Sequence, residues 1–535
     1  MYQPSVEAAS RLETTINDFR SDISSSMTSV EQTTQTIQGV ANEIHDKVNT
    51  FKNTMITSEE TQLAQENIIR IDQTIKEQFG DYDRIRRAIM GVVMDFDINL
   101  VRNKTIGELS EELWLTSSRY WLSYALIAVS AWVNNYPEVA SNALGECARR
   151  DGIKASLFFT LLNLRFGRNE TARHWFAKYL KTLDPKFMDQ EASVVLQAYL
   201  AGVFGTDKGL EAQVNQTVDE WIAVISEDAQ SCQELVDAYA KFFEALRPAR
   251  DFTLDALKQF CENAEQVGWA YTESSKLVTL KAFVDSLDVQ QVEQRPDNYK
   301  ARVDAVLKDL ITDYDQEENE LKTQKKYYSM VIKHNGVVDE AEQEYQEMLR
   351  LRDQGYNVGR QFLNWVLYAN SNDIDVHVRK FALGRTKTWF SQALTTFTTT
   401  LEQKAPKAFQ LSIDGWKGVT DGSDEQEQLN DMHKHFEERK PSIVFFNMPN
   451  IIAFVLAVVC GGLAFLNPLF LVGTGVAVVF IGVHIYLEVS KYPKRVQQNL
   501  QMLQACMQQR GMYRNGYAEG LSNSSLVQEQ IEYNF

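Results

Sequence analysis

The chain has 535 residues, with 54 Lys and Arg against 72 Asp and Glu and a formal net charge of −18. That acidity excludes wholesale nucleic-acid binding, which needs a basic surface. The 44% hydrophobic and 24% charged residues, with only 10 Pro and 26 Gly, exclude a collagen-like or Pro-rich disordered chain. No proline occurs between Pro4 and Pro137, or between Pro296 and Pro406. Such runs favour helices, because Pro removes a helix hydrogen bond. An all-α protein is expected.

The first predicted element is a long amphipathic helix within residues 1–78. Leu12, Ile16, Phe19, Ile23, Val30, Ile37, Val40, Ile44 and Phe51 follow a 4-3 spacing, with Ser26, Thr33 and Lys47 as polar exceptions. A sustained 3.5-residue period predicts a coiled-coil-like seam. The seam would either pack along the rest of the chain or self-associate with a partner helix.

Residues 79–296 follow as a region of paired helices, clearest over 119–225. Breaks begin at Asn134, Gly167 and Gly205, intervals that suit stacked helix pairs. The stretch Phe166 to Pro185 resembles the second helix of a tetratricopeptide repeat. Ala172 and Phe176 stand at that family's small and aromatic packing positions, while Tyr179 replaces a small residue. In the preceding helix Ser156, Thr160 and Asn163 replace the family's Trp, Gly and Tyr. The resemblance covers one half-repeat closely and about three helix pairs loosely. It implies a stacked helical solenoid with a concave binding surface.

Between Arg149 and Lys186 nine basic residues face three acidic ones. This local reversal suits an acidic partner segment or anionic lipid heads, with Arg165, Arg168 and Arg173 as the candidate binding residues. A solvated face balanced by acidic neighbours is the other reading.

A second helical region is expected over 297–413, beginning with a charged helix pair that turns at Asn335-Gly336. Asp414 to Gly422 reads as a flexible joint that opens an acidic-to-basic linker over 414–442.

The segment 443–487 breaks the pattern. No Asp, Glu, Lys or Arg occurs between Pro441 and Leu487. Two apolar runs, Ile451–Leu466 and Leu469–Leu487, are divided by Asn467 and Pro468, a turn signal. A membrane span needs about 20 apolar residues, so the first run suffices when Ile443–Phe446 is included. Pro449 is tolerated in a first helical turn. Small residues at spacing four, Ala453, Ala457 and Gly461 on the first helix and Gly473 and Ala477 on the second, predict close packing in lipid. Basic residues lie on both outer flanks: Lys434, Arg439 and Lys440 before the pair, Lys491, Lys494 and Arg495 after it. This places both flanks in the cytoplasm. The expectation is a transmembrane helical hairpin with both termini cytoplasmic. A hairpin inserted only on cue, or buried in a soluble core, are the other readings. His484 reads as an interfacial residue. The tail, 488–535, is expected to be helical to about Arg510 and loose beyond it.

Five scattered cysteines without a CxxC pair suit a reducing compartment. Met1–Val30 holds no apolar run, so no cleavable leader is expected. Chemistry-bearing motifs are missing. No GxxxxGK[ST], GxGxxG, HExxH or GxSxG sequence occurs. Asp313-x-Asp315-x-Glu317 lacks the glycine and twelfth-position acid of a calcium loop. His433 and His435 with Asp431 read as solvated rather than metal-binding. No catalytic residue, cofactor or metal is therefore expected. The leading expectation is a non-enzymatic, membrane-anchored helical scaffold or adaptor that recruits protein partners, with membrane lipid and a second copy among its contacts. The rival is a pore former or bilayer-remodelling factor. Sheathing of the hairpin by helices near 12–51 or 361–404 would favour the rival.

Overall fold

The computed structural model describes residues 5–94, 117–288, 297–352, 356–368, 374–464 and 469–535. Its contacts divide into two compact units: 1–162 with 307–354, and 163–306 with 355–535. Apart from one β-hairpin, the regular structure described is helical.

In the first unit, α1 (Ser5–Met94) is one continuous helix. It does not stop near residue 78. Phe79, Tyr82, Ile85, Ile89, Val92 and Val93 are buried and continue the helical period, so the apolar face carries the helix onward. The side chains of Leu12, Ile16, Phe19 and Ile23 lie outside the described residues. Val30, Ile37, Val40, Ile44 and Phe51 are exposed. From Ala64 onward α1 packs on α12 (Gln316–Lys333), which pairs with α13 (Val338–Arg352). Asn335 (φ 51°) and Gly336 (φ 83°) turn the chain between those two helices. A Cβ on Gly336 would lie 1.9 Å from the Thr57 carbonyl oxygen, so glycine is required there twice over. Arg86 of α1 forks onto Glu318 of α12 with hydrogen bonds of 2.8 and 3.1 Å, both side chains buried.

The predicted helix pairs begin in this unit as α2 (Trp121–Val133), α3 (Pro137–Arg150) and α4 (Gly152–Arg165). They continue in the second unit as α5 (Asn169–Leu180), α6 (Gln190–Leu200), α7 (Lys208–Ser226) and α8 (Ala229–Ala245). The breaks coincide with left-handed residues Asn135, Gly167 and Gly205, which end helices without steric cost when glycine occupies them. Ala172, Phe176 and Tyr179 are all buried. The division between the two units falls inside α4.

The second unit adds α9 (Asp255–Phe260), α10 (Ala264–Leu287), most of α11 (Asp297–Thr312), α14 (Val358–Leu367) and α15 (Val376–Lys404). Asp189, Asp207, Asp228, Asn357 and Asp375 cap helix starts by accepting backbone N–H bonds. After α15 come β1 (Phe409–Ile413) and β2 (Trp416–Thr420), then α16 (Glu425–Val444), α17 (Met448–Leu463) and α18 (Phe470–Asn534).

Two expectations for this region are corrected. The expected flexible joint at 414–422 is an antiparallel hairpin pairing Phe409 with Thr420 and Ile413 with Trp416. Asp414 (φ 48°) and Gly415 (φ 85°) form its two-residue turn, the left-handed pair that matches strand twist. Most of the expected linker over 414–442 is therefore this hairpin and α16. The tail is not loose after Arg510 either. α18 runs to Asn534 as a single 65-residue helix. Val496, Asn499, Leu503, Cys506, Tyr513, Gly520, Ser524, Val527 and Ile531 are buried at 3.5-residue spacing, and α18 packs on α10 and α15. Asn499, Gly516, Gly520 and Ser524 interrupt this apolar seam, which is why the tail reads as unstructured from the sequence.

Candidate membrane hairpin and its base

The apolar segment folds as α17 antiparallel in sequence order to the first part of α18, and the two helices pack on each other. Over Glu425–Leu463 and Phe470–Asn534 the chain has two stretches long and apolar enough to cross a membrane. Their outward side chains are bare: Phe454, Val455, Val458, Leu471, Val472, Val476 and Val479 are each more than half exposed. Apart from Asn450 at the base, the buried positions are the small ones, Ala453, Ala457 and Ala477. A Cβ on Gly473 would meet Cys460 Sγ at 3.3 Å, and one on Gly461 would meet Thr474 Oγ1 at 3.8 Å. Small residues thus set the closeness of the pair. Asn467 and Pro468 lie outside the described residues.

Between α16 and α17 the backbone breaks at Phe445–Asn447, and two asparagines close the gap. Asn447 accepts from the Asn450 backbone N–H at 3.1 Å and donates its amide to the Ile443 carbonyl at 3.1 Å. Asn450 donates to the carbonyls of Val444 and Phe445 at 3.1 and 3.3 Å. Pro449, in the first turn of α17, has no N–H to leave unpaired. The carbonyls of Ile443 and Val444 at the end of α16 thus receive side-chain donors, while the buried Asn450 Oδ1 has no partner among the described residues.

Below the break, the hairpin is seated on a mixed core. Leu254, Leu257, Val267, Phe409, Leu411, Ile413, Trp416, Met432, Phe436, Tyr492, Leu503, Cys506 and Tyr513 form one buried cluster. The Tyr492 hydroxyl donates to the Phe436 carbonyl, tying α18 to α16. Trp416 Nε1 donates to Asp431 at 3.0 Å, so Asp431 serves the β-hairpin. Among the described residues no group of His, Cys, Asp and Glu is placed to hold a metal. Asp414 accepts two bonds from Arg495 and a third from Asn499 at 2.7 Å. The Arg495 hydrogen bonds hold the Asp414 carboxyl below its usual range. Burial pushes the Cys506 thiol up to about 12.

The basic flanks are placed unequally. Lys434, Lys491 and Lys494 are exposed. Arg439 stands against Gly415, where an added Cβ would meet its guanidinium at 2.6 Å. Lys440 lies over the Tyr492 ring at 5.8 Å. Arg495, read from sequence as a membrane flank, is chiefly the partner of Asp414. His484 stacks on Phe480, with ring centroids 5.6 Å apart.

The candidate partner-binding arginines are not gathered on one open surface. Arg165 pairs with Asp304 at 2.6 Å and Arg173 bonds the Phe204 carbonyl at 2.9 Å and Asp207 at 3.3 Å. Arg168 is exposed at the start of α5. Elsewhere in the basic segment Arg149 and Arg150 pair with Glu146, and Lys154 with Asp313. Much of the local charge reversal is thus neutralised in space.

Sequence reasoning missed Asp414, Asn447, Asn450, Tyr492 and Asn499. The Asp414-Gly415 dipeptide was the available hairpin signal. The chain matches no protein-family model, no curated protein and no solved structure.

Proposed function

We propose that the chain is a non-enzymatic scaffold held permanently in a membrane by the α17–α18 hairpin, with both long arms in the cytoplasm. The observation that carries this reading is the bare apolar face of that hairpin beside a folded, polar-surfaced base. Each exposed Val, Leu or Phe gains about 1.5–3 kcal/mol when removed from water. Contiguous apolar surface on this scale needs a cover. Its length and charge-free composition suit lipid, and Lys434, Lys440, Lys491 and Lys494 cluster at its base as cytoplasmic flanks do.

An anchor is favoured over an on-cue membrane-active hairpin because the apolar face is exposed. Within the second unit α15 packs on α8, α10, α14 and α18 around Trp389, Phe390 and Leu394. The exposed Val30, Ile37, Val40, Ile44 and Phe51 on α1 extend the reading to self-association through that helix.

The test is a membrane-impermeant thiol-labelling scan in intact cells and in opened vesicles, with Cys232 and Cys460 first replaced by Ser and Ala. Single cysteines at 47 and 533 should label only from the cytoplasmic side, and one at 466 only from the other. Labelling of 47 and 533 from opposite sides would overturn the hairpin topology. Release of the protein by alkaline carbonate would overturn permanent anchoring. Dye release from liposomes on addition of purified protein would favour the membrane-active alternative.

A further inference from the structure

On its own the free part of α1 is a poor helix. Every residue from 28 to 56 is exposed. Between Thr28 and Thr57 stand seven Thr, three Asn, three Val, three Ile and Gly39, all weaker helix formers than Ala or Leu. Helices of such composition draw their stability from a packed face. A face of the right kind is present. Val30, Ile37, Ile44 and Phe51 repeat every seven residues at heptad position a, Val40 stands at d, and Val48 and Met55 stand beside them at e. All seven are at least half exposed.

The polar residues of the stripe are already satisfied within their own helix. Thr33 and Thr54, at d, donate their hydroxyls to the carbonyls of Ser29 and Thr50 at 2.7 and 2.8 Å, which leaves their methyl groups outward. Lys47, also at d, donates to Glu43 at 2.6 Å, so that layer carries its own counter-charge. The flanking g and e positions are Ser29, Thr36, Glu43, Thr50, Thr34, Ala41, Val48 and Met55. Glu43 is the one charge among them, so two copies can approach without like-charge repulsion along these edges.

We infer that residues 28–57 of α1 form a parallel, in-register, two-stranded coiled coil with a second copy of this chain. This rests on the self-association reading above and adds orientation, register and number. A parallel pair sets a against a and d against d, so Thr33 meets Thr33 and Lys47 meets Lys47. An antiparallel pair sets a against d and would force Thr33 and Lys47 onto apolar residues such as Ile44 and Val30. A single charged layer fixes register, and β-branched Val30, Ile37 and Ile44 at a favour two strands. Seven apolar side chains from each of two chains remove roughly 800–1,700 Å² from water, the scale of a specific interface.

Cysteine cross-linking of the full chain in mild detergent tests it, in a C232S/C460A background. T33C and T54C should each form a disulfide-linked dimer on mild oxidation, and N42C, on the outer face, should not. Contact points three heptads apart can both meet themselves only in a parallel, in-register pair. Sedimentation in density-matched detergent should give the mass of two chains. I37D/I44D should weaken association about tenfold or more, and K47L should tighten it by a similar factor. A two-chain mass with T33C or T54C unlinked, or with N42C linked equally well, would overturn the parallel seam and leave self-association standing. A three-chain mass would overturn the two-stranded assignment. A single-chain mass with no cross-link would overturn both this inference and the self-association reading. K47L keeps the test valid if I37D/I44D does not fold, and association unchanged in K47L would overturn the register.

Discussion

Asp414, at the turn of the β-hairpin, grips Arg495 of α18 through two hydrogen bonds of 2.6 and 2.7 Å. The two residues are 81 positions apart. Their bond fixes the β-hairpin to the long helix just below the apolar segment. Asn tolerates the left-handed backbone that Asp414 adopts, so D414N removes the charge and keeps the turn. D414N should lower stability by about 1 kcal/mol, a modest value because Arg495 is half-exposed. Thermal melting in detergent, followed by tryptophan fluorescence, measures it. The folded pKa of Asp414 lies below its unfolded value. The charge contribution is therefore present above the unfolded pKa and is lost as pH falls through the folded pKa. The gap between wild type and D414N should close on acidification over that window, and a pH-independent gap would refute the electrostatic assignment.

Gly520 lets α18 touch α10: a Cβ there would lie 2.4 Å from the Ser274 carbonyl oxygen. The obstacle is backbone, so G520A should destabilise by about 1–3 kcal/mol. Gly511, on the same helix, has nothing within 4 Å of an added Cβ. G511A should stabilise by up to about 1 kcal/mol through helix propensity alone. Opposite shifts in denaturation midpoint are expected, and equal shifts would show that the tail is not packed as described.

The buried Arg86–Glu318 fork in the first unit should be costly to break singly. E318A leaves a guanidinium without its main partner and should lose about 3–5 kcal/mol. The double variant R86M/E318L should recover most of that loss. A double variant as unstable as E318A would place the cost in packing instead.

Reversing the candidate arginines should divide them by how far each side chain is buried. R165E sets a carboxylate beside Asp304 and should lower the melting temperature by several degrees. R173E gives up the Phe204 carbonyl and should do the same. R168E, at an exposed position, should change stability by less than about 0.5 kcal/mol. Liposome flotation and partner pull-down of R168E then report on the basic surface free of any folding effect.

The helical class and the apolar hairpin were legible because both rest on short-range signals: proline-free runs, and a charge-free segment flanked by lysines. The helix breaks at Asn134, Gly167 and Gly205 were legible for the same reason. The β-hairpin carried a clear local signal in Asp414-Gly415, but its acidic surroundings read as linker. The packed tail was hidden because Gly516, Gly520 and Ser524 occupy seam positions where apolar residues are usually sought. Pairings such as Arg165 with Asp304 join residues far apart in the chain. Composition alone shows a basic segment there, and only folding shows that acids already face it.

Because α18 is continuous from Phe470 to Asn534, its lipid-suited end and its docked end share one rotational phase. At 3.6 residues per turn, one residue inserted near Glu488 would swing one end by about 100° relative to the other. Either the small-residue face would turn from α17, or the Tyr492–Ile531 seam would leave α10 and α15. A seven-residue insertion would come back to within about 20° of the original angle while lengthening the shaft by about 10 Å. The helix thus ties the facing of the hairpin to the facing of the base, and the interior Pro493, which has no N–H to complete the helix ladder, marks the point along it where that tie is weakest.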